Sequence, residues 1–346
     1  MFSFRNVLAA GAVTAAVAFG SLFVANTQTV QGCLHPPREF EYPIKAGAQK
    51  GLVMFADGHE TMVLRPSYKV EGEGLKVKND AVEGFTTLAW VVPVPNLPDS
   101  YKEGEEKLFD KLATFTKPYE GFAANSSRED SPRARGGKSK QGAEFLEEVK
   151  VGDYTIQPVK AHGEIGGVEL KGWLKDNGFG ALEDDVLKYY LDNDYYWLAV
   201  KLQRDEGLPK DGQVKPLQIS FKTDAPVYPI KINQGKGSFD LELWVITGKE
   251  LDLDKSRKFG LTTVEQNDGL MGQSNRETKY ESLPEEVRKA ADANDKLKSL
   301  KEGKLYCYRF FGAGLDGKTD LSKLDKDLSF EFKPEPKEEK NETKKD

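Results

Sequence analysis

The strongest constraint on this chain is a period of two in its apolar residues. Leu217, Ile219 and Phe221 alternate with Gln218, Ser220 and Lys222; Phe239, Leu241, Leu243 and Val245 repeat the pattern; and Leu198, Val200 and Leu202 share one side of a third stretch. Side chains of a strand point to opposite faces in turn, so such alternation calls for antiparallel sheet with one face drier than the other. Gly51–Phe55 and Glu60–Leu64 flank Asp57-Gly58, a dipeptide suited to the positive φ angles of a tight hairpin. Phe85–Val92 is an apolar strand that runs into Pro93-Val94-Pro95, and Pro226 and Pro229 bracket Val227-Tyr228. Proline has no N–H to give to a central ladder, so both stretches belong at a sheet edge or leave the sheet there.

Helices are short and fewer. Leu108, Phe109, Leu112 and Phe115 recur at helical spacing; Leu170, Trp173 and Leu174 mark a helix over 168–175 that stops at Asn177-Gly178; and Leu182, Val186, Leu187, Tyr190 and Leu191 mark another. The Gly-rich run 162–167 reads as a turn after a strand over 154–159. Ser282-Leu283-Pro284-Glu285 has the spacing of a capping box, and the helix it would start extends to about Lys301, before Gly303. Leu305–Phe311 and Leu328–Phe332 read as closing strands. The fold class is therefore α+β, dominated by antiparallel sheet with short helices packed on it.

The ends of the chain are of a different kind. Arg5 precedes an uncharged run from Val7 to Ala25, and the polar stretch after it ends in Val30-Gln31-Gly32-Cys33. This is the pattern of an export signal over residues 1–32. The body then spans 33–332 as a single domain, and 333–346 is a charged tail of Pro, Glu, Lys and Asn expected to be disordered. Residues 125–142 form a basic, Ser- and Gly-containing loop. Cys33 has three alternative fates, the plainest being that it and Cys307 stay unpaired thiols that pack as small hydrophobes. It can pair with Cys307, since an oxidising compartment permits a disulfide, and the long loop so closed would contribute at most about 5 kcal/mol. Alternatively, the four residues ending at Cys33 resemble a bacterial lipoprotein box, and lipidation would forbid the bond. Membrane attachment follows only from a lipidated Cys33 or an uncleaved signal.

Several motifs in a fixed order carry a resemblance: 85–95 (FTTLAWVVPVP), 108–112 (LFDKL), 151–154 (VGDY), 173–179 (WLKDNGF), 197–201 (WLAVK), 216–221 (PLQISF) and 225–230 (APVYPI). Over about 50–250 the chain resembles an uncharacterised family of exported bacterial proteins, a domain of unknown function. That resemblance implies an exported single-domain protein without an established activity, and it supplies no catalytic residues.

The chemistry of the chain is sparse. Lys and Arg number 50 and Asp and Glu 56, a net charge of −6, with a pI near 5.5, so nothing attracts nucleic acid globally. The three histidines, His35, His59 and His162, stand apart, and Cys33-Leu34-His35 is the only His–Cys pair at short spacing. Serine-hydrolase, P-loop, HExxH and dinucleotide signatures are missing, so neither cofactor nor metal is expected. Asp192-Asn193-Asp194 and Asp252-Leu253-Asp254 lack the rest of a calcium loop. Trp90, Trp173, Trp197 and Trp244 lie in apolar-patterned elements and read as core, whereas Tyr189, Tyr195 and Tyr196 cluster around a turn where sugars or peptides could stack. These features favour a non-catalytic binding or structural protein of the cell envelope or extracellular space, with an envelope or extracellular component as partner. Two other readings stand beside it: a hydrolase of an envelope polymer using dispersed carboxylates, and a membrane-displayed lipoprotein.

Overall fold

The computed structural model describes residues 34–37, 39–47, 49–65, 67–116, 142–213, 215–234, 240–254, 261–263, 276–312 and 323–334. Residues 1–33, expected to hold an export signal and ending in Cys33, the basic loop up to residue 141, Phe239 and the tail beyond 334 lie outside them.

The larger sheet grows from the hairpin of β1 (Gln49–Ala56) and β2 (His59–Arg65), whose turn residues Asp57 and Gly58 have φ of 49° and 73°. β2 continues through β9 (Leu217–Lys222) to the edge strand β4 (Ser100–Glu103). On the other side β1 pairs with β11 (Leu241–Thr247), and β11 with β14 (Leu305–Gly312), which carries the short strands β12 (Leu261–Thr263) and β13 (Arg276–Thr278). The β1–β11 pair is parallel, an exception to the antiparallel expectation that period two could not have announced.

The smaller sheet has the order β6 (Val149–Val151), β7 (Tyr154–His162), β8 (Tyr196–Gln203), β3 (Thr87–Val94), and β5 (Gly142–Phe145) also pairs with β7. β3 is an edge strand, as its prolines require. His35 and Ala89 exchange two backbone hydrogen bonds of 2.7 and 2.8 Å on the side away from β8. By alternation Pro93 faces outward too, where its missing N–H leaves no ladder bond unmade.

The sheets stack face to face, with α1 (Leu108–Phe115) and α4 (Glu285–Asp292) outside the larger one and α2 (Gly163–Asp176) and α3 (Asp184–Asp192) outside the smaller. Val53, Met62, Trp90, Val200 and Val245 lie in the core between the sheets. Leu52, Met54 and Trp244 meet α1 and α4, and Trp197 and Ala199 meet α3. This layering corrects the expectation of one wet face. Gln218 and Ser220 alternate with apolar residues yet are buried, because their polar atoms are satisfied in the helical layer. Ser220 Oγ is 2.9 Å from Thr61 Oγ1, Asn294 Nδ2 donates to Thr61 at 3.1 Å, and Gln218 Nε2 donates to the Ala290 carbonyl at 2.9 Å.

Two local expectations fail. The glycine run 163–167 is the first turn and a half of α2, not a turn. Its glycines serve close approach: a Cβ at Gly166 would run into the carbonyl of Gly142 on β5. The capping box at Ser282 does not form. Ser282 ends a 3-10 turn, Tyr280–Ser282, Pro284 is the N-cap without a side-chain bond, and α4 stops at Asp292. A 3-10 helix, Asp295–Lys301, follows, capped by Asn294 Oδ1 accepting from Lys296 N–H at 3.0 Å.

Candidate functional site: a cleft between the sheets and its buried carboxylates

The smaller sheet ends at β3, whereas the larger continues through β11 and β14. Residues 226–233, including β10 (Val227–Tyr228) and a 3-10 turn (Lys231–Asn233), form a strap over this excess width, paired with β15 (Leu328–Ser329). Between strap and β3 remains a cleft of about 50 Å³. Trp90, Val92 and Pro93 line one side, Tyr228, Pro229 and Ile232 the other, and Leu34, one residue after Cys33, also reaches it. Gln49 Nε2 donates to Asn233 Oδ1 at 3.1 Å at the rim. Lys50 lies 3.7 Å from Glu242, while Arg65 turns its guanidinium to the Glu106 carbonyl and Asp110 of α1.

The strap is held from behind by two buried acids. Glu60 shares the inward face of β2 with Met62 and Leu64; its Oε2 accepts from Val227 N–H at 2.8 Å, and its Oε1 has no hydrogen-bond partner among the described residues. Burial pushes its carboxyl well above the usual range, against the pull of the Val227 N–H. Asp327, just before β15, accepts through Oδ1 from the Tyr190 hydroxyl at 2.7 Å and Lys231 N–H at 3.1 Å. Tyr190 in turn accepts from Ile232 N–H at 3.0 Å, and Asp327 N–H donates to the Tyr189 hydroxyl at 3.1 Å. Desolvation pushes Asp327 up to about 7, although Tyr190, the N–H groups of Lys231 and Ile230, and Tyr195 draw it down. Its Oδ2 lacks a partner of good geometry.

The tyrosines singled out in the sequence do not share one flat face. Tyr189 and Tyr195 are half-buried, and both turn toward Asp327. Burial first, then the Asp327 charge, raises the Tyr189 phenol to about 12, and the same causes raise Tyr195. Tyr196 lies elsewhere, under the Lys160 ammonium, 4.0 Å from its ring centroid. Of the tryptophans, Trp90, Trp197 and Trp244 are buried, and Trp173 packs half-buried against Phe145 and Phe179. The histidines remain scattered: His59 Nε2 lies 2.6 Å from Asp99, and His162 Nδ1 3.6 Å from Asp194. Among the described residues no three His, Cys, Asp or Glu side chains are placed to hold a metal ion, and no helix is long and apolar enough to cross a membrane.

Cys307 is fully buried on the helix-facing side of the larger sheet, whereas Leu34 packs on the opposite side, between the sheets. Cys33 is outside the described residues, but its covalent neighbour and Cys307 have the larger sheet between them. Sequence reasoning passed over Glu60 and Asp327. A charged residue at an inward position of β2 is a signal for Glu60; nothing around Asp327 marks it.

Fold and cleft together define a class: an α+β protein of two packed sheets, helix-covered on both outer faces, with a narrow apolar cleft where the smaller sheet ends. The chain belongs to a family described as uncharacterized proteins conserved in bacteria (DUF2330), whose model matches residues 59–304, further toward the C-terminus than the motifs above had reached. A comparison with curated proteins finds no match. Among solved structures, a mutated baculovirus P35 after caspase cleavage aligns over 83% of this chain and 97% of that one, at 10% identity and a TM-score of 0.37. At that score the alignment supports no statement about shared structure or activity.

Proposed function

We propose that this protein is an exported, non-catalytic binding module of the bacterial cell envelope or extracellular space, and that the cleft between β3 and the strap is its binding site. The cleft carries the reading. Its walls are apolar and its floor is the packed inter-sheet core, so it suits one aliphatic or aromatic group better than a whole metabolite, whose sites run to about 300–1,000 Å³. Glu60 and Asp327, the buried acids that hold the strap, do not line it. The partner in this reading is an envelope or extracellular component offering an apolar group, and residues 1–32 supply the export signal.

Calorimetry with decanoate, decanol and extended Leu- or Phe-bearing peptides tests the site. Binding with a negative heat-capacity change, lost when Gln49→Trp fills the rim, is the expected result. Silence from all three probe types would remove the binding reading. Fractionation is expected to find the chain outside the cytosol without residues 1–32, and an acyl mass on Cys33 would make it a lipoprotein. Release of soluble fragments from an envelope polymer, abolished in Asp327→Asn, would favour the hydrolase instead.

A further inference from the structure

We propose that the strap over 226–233 is a pH-gated wall of the cleft, fastened through the buried acids Glu60 and Asp327 and released as they ionise. The inference rests on the cleft being the binding site only for what is gated; the gate is argued from the fold itself. Few direct bonds hold the strap to the molecule. Val227 N–H goes to Glu60, Lys231 N–H to Asp327, and Ile232 N–H to the tyrosine hydroxyl that Asp327 also holds. Ile230 N–H also turns to Asp327, Gln49 of β1 donates to Asn233 at the rim, and the ladder bonds of β10 run to β15, the strand that follows Asp327 directly, so Asp327 governs both sides of the β10–β15 pair.

The surroundings decide the direction. Asp327 is faced by Tyr189, Tyr190 and Tyr195, all neutral phenols near pH 7, and Tyr195 also lies in the field of Glu60. The one cation of the strap here, Lys231, spends its ammonium on Gln234 and the Tyr189 ring rather than on a carboxylate. Asp325 adds negative charge nearby, and His59 beside Glu60 turns to Asp99. Among the described residues Glu60 Oε1 has no hydrogen-bond partner and Asp327 Oδ2 none of good geometry, so a proton on either removes a buried charge at little loss of bonding. In the closed form burial raises both carboxyls above their ordinary values, and an opening that lets water reach them would return them toward those values. The closed form is therefore favoured at acid pH and weakens as pH rises through neutrality.

Hydrogen exchange of the full chain, read by mass spectrometry from pH 5 to 8.5 with labelling times scaled to intrinsic rates, tests this without any ligand. Opening of the amides of Val227, Tyr228 and Ile230 to Asn233 is expected to rise about a hundredfold from pH 5 to pH 8, from the Asp327 shift alone. Leu52 to Ala56 of β1 report the core and are expected to stay protected. Asp327→Asn should flatten the rise. Tyr195→Phe, which removes only a hydroxyl, should move the midpoint to higher pH, because it deletes a donor to the ionised form. A strap that tracks β1 at every pH, a slope undiminished in Asp327→Asn, or a midpoint unmoved in Tyr195→Phe overturns the gate. A gate that opens on schedule in a protein that binds none of the apolar probes would sink the cleft reading alone.

Discussion

At the scale of single residues, Asp327 shows how burial writes pH dependence into a fold. Its ordinary carboxyl value of 3.8 rises to about 7, so the folded state holds the proton more tightly than the unfolded chain does. The sign follows: the stabilisation is complete below pH 4 and is lost as pH climbs to 7, amounting to about 4 kcal/mol as an upper bound. Urea denaturation should therefore find the wild type less stable at pH 8 than at pH 5, and Asp327→Asn should shrink that difference. A buried hydroxyl offers a second test. Thr61→Val removes the acceptor of Asn294 and the partner of Ser220, and should cost about 1–3 kcal/mol with little change in shape, as read by the same denaturation. Both residues matter through what surrounds them. Thr61 could be placed on a strand from its neighbours alone, but the donor it meets, Asn294, lies 233 positions away.

At the scale of elements, α2 carries two glycines with opposite roles. Gly166 touches the backbone of β5, so Gly166→Ala should destabilise by about 1–3 kcal/mol through overpacking. Gly172 is exposed in the same helix with nothing near its missing Cβ, so Gly172→Ala should stabilise by up to about 1 kcal/mol. Thermal melts of the pair would separate close packing from helix propensity. The same helix shows where local reading ends. Leu170 and Leu174 revealed its apolar stripe, but Gly163 to Gly167 look like a turn unless β5 is known to lie against them. Capping is similar: Ser282 and Glu285 have the right spacing, yet Pro284 and the packing of Leu283 and Val287 set the start of α4.

At the scale of the whole molecule, the layers decide which distant groups can meet. Cys307 lies in the helical layer and Leu34 between the sheets, so a non-reducing peptide map of the isolated protein should lack a Cys33–Cys307 cross-link. Alkylation of Cys307 should be slow until the chain unfolds, because its side chain has no access to solvent. Finding that cross-link would require the N-terminal segment to pass around the edge of the larger sheet, and would overturn the placement of Leu34.

Strand period, the Asp57-Gly58 turn, the edge prolines and the helical stripes are short-range patterns, and each was readable because steric and solvation preferences act over a few neighbouring residues. They specified a sheet-rich α+β body and its family motifs. The parallel β1–β11 pair, the second covering of β9, the cleft and the raised acids depend on contacts between segments far apart in the chain. Burial is a property of what the rest of the molecule places around a group, so only the tertiary structure could turn Glu60 and Asp327 from two acids among 56 into the fastening of the strap.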